Sequence, residues 1–565
     1  MDQPTLNQTE ASAPVARWRL WLFLLLVASS LTSFVGTGST LPLDAHEVFV
    51  ARTAEEMHDR SEWLVPYFND TPRLKKPPLE YWLVLGVNLV TGNDSIITEF
   101  EARFPSALAG VLLTLMAVRL GRQLVSPEAG LIAGAILATC SGFISYTHSA
   151  RPEMVYAAWC VAGLLGLVSA EKHTIASRKR DALLAALAAW ACFGMANITK
   201  GPQLPIPMIL GWLFGAWRAG NLKQTARSLH LALGIPIYLI VGFWWFALVL
   251  TTVPNAGEIL KGETIDRITS QTDSWVTLLE PYYLYRPLLM LTPWLFFVPG
   301  ALLGPWLKKY RTRPGAMRLW WMICIVAIIL SFSRGRRWYY MLPMLAPYAV
   351  VLGSTAMLLA PDLWKNRKTW GWALLFGVHA VGMAIFAAVA LSRHNAYLGS
   401  APIWMYVLIA LTCLACITML ALPKLRHAIG VAGVAVVVAA SASVALATAS
   451  HRGGFWRSNR LDERAFSMQV AELITPDDTL LGWLEPFEEQ QYELHRVIPT
   501  YTDPDTLANT LRDAGKAFVM VDIRRERLTW PEDLLAERLV SADNGDTKGQ
   551  FELWRVQLHN SRPVD

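Results

Sequence analysis

Residues 44–82 read DAHEVFVARTAEEMHDRSEWLVPYFNDTPRLKKPPLEYW, a polar stretch between long apolar runs. An acidic cluster, Asp44 and Glu47, opens it, and a basic proline-rich corner, Lys75-Lys76-Pro77-Pro78, closes it. Upstream, residues 20–36 (LWLFLLLVASSLTSFVG) follow Arg17 and Arg19. That run is long enough to span a bilayer, so an anchored helix is expected in preference to a cleaved signal peptide. Within the stretch, Phe49, Thr53 and Met57 recur at i, i+4 and i+8, which predicts a surface helix over 45–60. Residues 79–90 (LEYWLVLGVNLV) are too apolar to float free and too short to span, which predicts an interfacial or re-entrant helix.

The rest of the chain explains why such a loop would sit at a membrane. Of 565 residues 53% are hydrophobic and only 17% charged, where a soluble chain carries about 25% charge; mean hydropathy is +0.33. Further apolar runs centre on 101–120, 127–146, 153–170, 181–198, 203–217, 229–250, 287–306, 319–333, 338–358, 370–391, 402–422 and 428–448. The expected fold is therefore an all-α polytopic membrane protein of about thirteen transmembrane helices over residues 1–448, with a first outer loop at 37–100. A small C-terminal α/β domain over 449–565 follows, with strands at Thr479–Trp483, Ala517–Val521 and Phe551–Val556 and a helix at Asp505–Ala514. Alternate connections carry the lysines and arginines, from Arg17/Arg19 to Lys424/Arg426, and so define a cytoplasmic side. The first loop and the tail then share the opposite, outer face. All six cysteines lie in apolar segments; Cys413-x-x-Cys416 has no partner pair and carries no metal or redox signal.

Several cations break the positive-inside pattern. Lys76, Arg151, Lys200 and the Arg334–Arg337 turn all fall on the outer side, near Asp44, Glu47 and Glu153. Each has a structural reading. Asp44 and Glu47 fit a capping box, the lysines a solvated corner, Arg151-Pro152-Glu153 an interfacial pair, and the arginine turn a snorkelling cluster. Their recurrence on one face favours an anion site, since arginine grips phosphate through a planar fork and lysine as a point charge. No cofactor is firmly implied: Asp44, His46 and Glu47 on a single turn are a weak signal for a divalent metal. The loop 251–286, with Glu263 and Arg267, is read as part of a lid. A transporter or flippase of a lipid-linked sugar is the alternative, but it predicts ionisable groups at mid-span and an internal repeat, and the charges gather at one face.

At these residues the sequence resembles the polyprenyl-phosphate-sugar-dependent glycosyltransferases, a superfamily that includes the protein O-mannosyltransferases and the lipid A aminoarabinose transferases. The similarity runs over roughly residues 17–350. It rests on Asp44, Trp63-Leu64-Val65-Pro66, Asn69, Lys76-Pro77-Pro78-Leu79-x-Tyr81-Trp82, Arg151-x-Glu153, Lys200-Gly201-Pro202 and Arg336-Arg337-x-x-Tyr340-x-Leu342-Pro343, in that order. Glu263 and Arg267 resemble a weaker acidic-basic pair. The resemblance implies an inverting GT-C-type transferase in the bacterial inner membrane, with its site on the periplasmic face. The donor would be a sugar on a polyprenyl phosphate, the acceptor a lipid or a protein, and nucleic acid is not an expected partner. Asp44 would orient or deprotonate the acceptor, Glu153 and Glu47 would be further acidic residues of the site, and Lys76, Arg336, Arg337 and Tyr340 would hold the departing phosphate. The chain departs from the pattern at Ala45, where many members have Glu, at Lys75, where some have Glu, and at Arg336, where lysine is usual.

Overall fold

The computed structural model describes residues 15–38, 42–92, 96–262, 282–303, 313–332, 336–365, 423–449, 460–523, 528–543 and 550–559, with scattered positions elsewhere. A helix of 20 residues, α1 (Val15–Phe34), leads into the first loop. There Asp44 caps α2 (Ala45–Asp59) in a complete capping box: its side chain accepts the Glu47 N–H, and the Glu47 side chain accepts the Asp44 N–H. Thr53 and Met57 are fully buried, as the 3.6-residue spacing predicts. A two-residue hairpin follows, β1 (Tyr67–Phe68) against β2 (Thr71–Pro72). Asn69 and Asp70 both take positive φ at its tip, the geometry that a tight hairpin demands and that these residue types tolerate. The Glu56 carboxylate accepts both of their N–H groups, at 2.6 and 3.2 Å, which ties the hairpin to α2.

The expected short apolar helix is α3 (Leu79–Thr91), 13 residues long and closed by Gly92 at φ 71°. It leads to α4 (Glu99–Leu124), whose N-terminus carries a second capping box, Thr98 with Glu101. The bundle continues with α5 (Pro127–Thr139), α6 (Ser141–Thr147), α7 (Glu153–Ile175) and α8 (Lys179–Lys200). In lipid, helices associate through close packing and polar contacts, because burying apolar surface there gains little. Both devices are present. A Cβ at Gly130 on α5 would lie 2.4 Å from the Val118 carbonyl oxygen on α4, so the two backbones touch. Ser29 of α1 bonds Thr114 of α4 at 2.8 Å, and Thr32 donates to Ser443 at 2.7 Å.

Among the described residues seven helices are long and apolar enough to cross a membrane, or eight if α5 and α6, bent by 59°, form one span. Of the segments expected from sequence, 366–387 and most of 389–422 lie outside the described residues. The 287–306 segment is not one continuous helix. It is broken into Tyr282–Leu289, a 3-10 turn at Trp294–Phe297 and Val298–Leu302. Pro287, Pro293 and Pro299 supply the reason, since each removes a backbone donor and clashes with the preceding turn.

The C-terminal unit is a five-stranded mixed sheet in the order β4-β3-β5-β7-β6: β3 (Leu480–Trp483), β4 (Thr500–Tyr501), β5 (Lys516–Asp522), β6 (Leu534–Asp543) and β7 (Gln550–Leu558). β3 runs parallel to β4 and β5, while β7 runs antiparallel to β5 and β6. Alternate residues of β5 enter two separate cores, Phe518 and Met520 in one, Ala517, Val519 and Val521 in the other. That two-sided burial is why β5 reads as an unbroken apolar run. β6 and the helices Arg460–Leu473 and Glu488–Glu493 join the elements expected from sequence.

Candidate functional site

The first turn of α2 meets the starts of α4 and α7 and the end of α8, and the expected charges are assembled there. Asp44 Oδ1 accepts the Glu47 N–H at 2.9 Å, which leaves Oδ2 to accept from Arg151 Nη2 at 2.9 Å. Glu47 is 1% exposed. Its Oε1 accepts from Arg103 Nε at 2.8 Å and from the Ala150 N–H at 2.9 Å; its Oε2 accepts from Arg103 Nη2 and the Asp44 N–H, both at 3.0 Å. With both oxygens engaged, Glu47 acts as a strut that fixes Asp44. Glu153, at the first turn of α7, receives Lys200 Nζ on Oε1 at 2.9 Å. Lys76 and Arg151 also act on it electrostatically. The Lys200 ammonium sits 5.0 Å from each of the Tyr339 and Tyr340 ring centres, within range of a cation–π contact.

A cavity of about 250 Å³ opens on this assembly, lined by Asp44, Glu47, Arg103, Tyr146, His148, Arg151 and Trp338 among others. Trp338 thus brings the Arg336–Arg337 turn to the chamber that holds Asp44. Ser145 and Trp338 also line a second cavity, of about 280 Å³, bordered by Arg286 and Leu289. Arg337 exchanges two backbone hydrogen bonds with the Tyr283 hydroxyl, and its charge reaches His46. Burial, then Arg151, hold the His46 imidazole below its usual range, so it is neutral at pH 7.

The structure thereby brings together Asp44, Glu47, Lys76, Arg151, Glu153, Lys200, Arg337 and Tyr340. Arg336 is half-buried in the same turn, beside Tyr283. Tyr81 stands apart. It is 2% exposed and packs in the core of the first loop with Val48, Ala51 and Ile97, with the Arg73 charge acting on its hydroxyl. Glu263 and Arg267 lie outside the described residues. Among the described residues no three His, Cys, Asp or Glu side chains are grouped to hold a metal ion.

Two residues were not singled out in the sequence. Arg103, 1% exposed, clamps Glu47; a charge inside an apolar span is a signal in itself, because such groups are paired or functional. Glu80, also 1% exposed, has no hydrogen-bond partner on either carboxyl oxygen among the described residues. Burial, reinforced by the charge of Glu153, pushes its carboxyl up to about 8. Glu80 is then neutral at pH 7, and the cations Arg103, Arg151, Lys76, Lys200, Arg336 and Arg337 outnumber the remaining carboxylates Asp44, Glu47 and Glu153. The native state holds the Glu80 proton more tightly than the unfolded chain. Stability from this group is therefore full below the ordinary carboxylate range and falls as pH rises toward about 8. Glu80→Gln should remove that slope: unfolding free energies measured from pH 5 to 8 should diverge in favour of the variant by up to about 1.4 kcal/mol per pH unit. Parallel curves would show that Glu80 is ionised in the fold.

A bundle of apolar, span-length helices joined to a small C-terminal mixed sheet is a polytopic membrane fold of the GT-C type. Residues 75–245 match the dolichyl-phosphate-mannose-protein mannosyltransferase family. The undecaprenyl phosphate-alpha-4-amino-4-deoxy-L-arabinose arabinosyl transferase of Enterobacter sp. (strain 638) is 24% identical over 369 residues, 62% of this chain and 62% of the relative. The second transferase of that name in Pseudomonas fluorescens is 26% identical, over 62% of this chain and 58% of the relative. The match thus spans about three fifths of the length of each. ArnT from Cupriavidus metallidurans, solved bound to undecaprenyl phosphate, superposes with a TM-score of 0.72 at 18% identity, covering 95% of this chain and 98% of that one. Archaeoglobus fulgidus AglB, an archaeal oligosaccharyltransferase solved with a dolichol-phosphate, gives 0.51 at 14% identity, over 90% and 70%. The chain thus shares the GT-C fold with these structures, and it is similar, over residues 75–245 and in part of its length, to transferases that use polyprenyl-phosphate-linked sugars.

Proposed function

We propose that this protein transfers a sugar, either 4-amino-4-deoxy-L-arabinose or a hexose, from a polyprenyl-phosphate carrier to an envelope lipid such as lipid A or to a protein, with inversion at the anomeric carbon. The observation that carries this reading is the continuous ladder Asp44–Arg151, Glu153–Lys200 and Lys200–Tyr340, in a cleft where cations exceed carboxylates. The acceptor oxygen attacks the anomeric carbon, the carbon–oxygen bond to the phosphate breaks, and polyprenyl phosphate leaves with the electron pair. Lys200, Lys76 and the Arg336–Arg337 turn meet the charge that develops on that phosphate. Cations fixed in advance in a cleft shielded from water stabilise such a charge far better than solvent does. Asp44 takes the proton of a hydroxyl acceptor, or orients an acceptor that is already an anion. Glu153 holds Lys200 in place. The names of the arabinosyl transferase relatives support the amino-pentose, and the placement of positive charge along the chain supports a periplasmic site in the bacterial inner membrane.

Lys200→Ala should weaken binding of undecaprenyl phosphate about 10-fold or more, in line with the loss of one charge-assisted contact of ~1.5–3 kcal/mol. Titration of the purified protein with that lipid measures it, and unchanged affinity would remove the phosphate role. Mass spectrometry of envelope lipids and glycoproteins, with wild type against the inactive Asp44→Asn protein, reads the acceptor and the sugar directly. Identical profiles would remove the transfer reading.

A further inference from the structure

The turn that presents Asp44 is held from two sides. From the bundle, Arg103 and the Ala150 N–H grip Glu47. From the other side comes a residue 444 positions away: Glu489 Oε1 accepts the Ala45 N–H at 2.9 Å. The first N–H groups of a helix have no partner within it. In α2 the Glu47 N–H goes to Asp44 and the Ala45 N–H to Glu489, so a single Asp44 oxygen suffices for capping and the other faces Arg151. A carboxylate at this end also suits the helix dipole.

Glu489 does not arrive on a loose arm. Its helix, Glu488–Glu493, places Tyr492 in the apolar core of the first loop, 5% exposed beside Val48, Ala51 and Ile97. The Tyr492 hydroxyl donates to the Ile97 carbonyl at 2.6 Å. Arg464 then bonds Glu493 through Nε, at 2.9 and 3.0 Å, and Glu99 at the start of α4 through Nη2. The C-terminal unit therefore contributes a side chain to the first-loop core and a ligand to the Asp44 turn.

We infer that Glu489 is a positioning residue for Asp44, and that the C-terminal unit completes the candidate site by fixing the first turn of α2. The inference rests on the proposed transfer reaction only for its turnover arm. In full-length protein, Glu489→Ala should speed amide exchange in the 43–49 segment about 10-fold or more, while segments within α7 and α8 keep wild-type rates. With undecaprenyl-phosphate-linked 4-amino-4-deoxy-L-arabinose as donor, kcat should fall about 10- to 100-fold, the scale of a misplacement near one ångström. KM for the donor should stay within about 2-fold, because the phosphate cations lie on other elements. Glu489→Gln, whose amide oxygen still accepts the Ala45 N–H, should recover most of both readouts. Wild-type exchange in Glu489→Ala overturns the inference, as does equal damage in the Ala and Gln variants. If the wild-type protein transfers no sugar from this donor, the exchange arm still decides the point, and the failure falls on the donor reading alone.

Discussion

Asp44→Asn is expected to leave a folded protein whose turnover is about 10²–10⁴-fold lower, the range a positioned general base supplies. Asparagine caps helices as well as aspartate does. Its side-chain oxygen can keep the 2.9 Å bond from the Glu47 N–H, so α2 should retain its start and the thermal midpoint should barely move. What the amide lacks is the negative charge toward Arg151 and the ability to take a proton. A residue that served only as a cap would tolerate this exchange silently. Turnover assayed in proteoliposomes beside a thermal melt separates the two roles, and full activity in the variant would return Asp44 to purely structural duty.

The second large effect is on stability. Arg103 and Glu47 form a pair with side-chain exposures of 1% and 2%. Removing one partner leaves the other charge buried without its counter-ion, at a cost of about 3–5 kcal/mol. Arg103→Ala should therefore lower the thermal midpoint steeply and loosen the first loop, since the guanidinium also donates to the carbonyls of Thr37 and Pro42. Adding Glu47→Gln to Arg103→Ala should restore part of the loss, because no stranded carboxylate remains. A double-mutant cycle measures that coupling, and additive losses would mean the two side chains do not act as a pair.

How much of this was legible in the sequence depends on the distance over which each feature is encoded. The capping box of α2, the short helix α3 and most of the long spans follow from local pattern and length. The cationic turns at Lys76, Arg151, Lys200 and Arg337 were legible because each falls in a connection that the charge pattern of the sequence assigns to the outer side, where cations are disfavoured. The break of the 287–306 segment was written in three prolines at six-residue spacing, but high hydropathy across it read as one span. Tyr81 shares its sequence stretch with Lys76, yet its side chain turns into the loop core. Which face of a short helix looks at the cleft is settled by the packing of α2 and α4, not by the stretch itself. The hydrogen bond from Ala45 to Glu489 has no local signature at all: nothing in the run Phe487-Glu488-Glu489 marks it as a neighbour of residue 45.

That long reach has a consequence in time. At about 5–20 residues per second, synthesis delivers Glu489 roughly 20–90 seconds after Ala45 has emerged. Until then the nascent chain carries its first spans and the Asp44 turn with the Glu489 contact still unmade. On the inference drawn for Glu489, the Asp44 turn would reach its final geometry only after the upstream spans have been made and the C-terminal unit has folded.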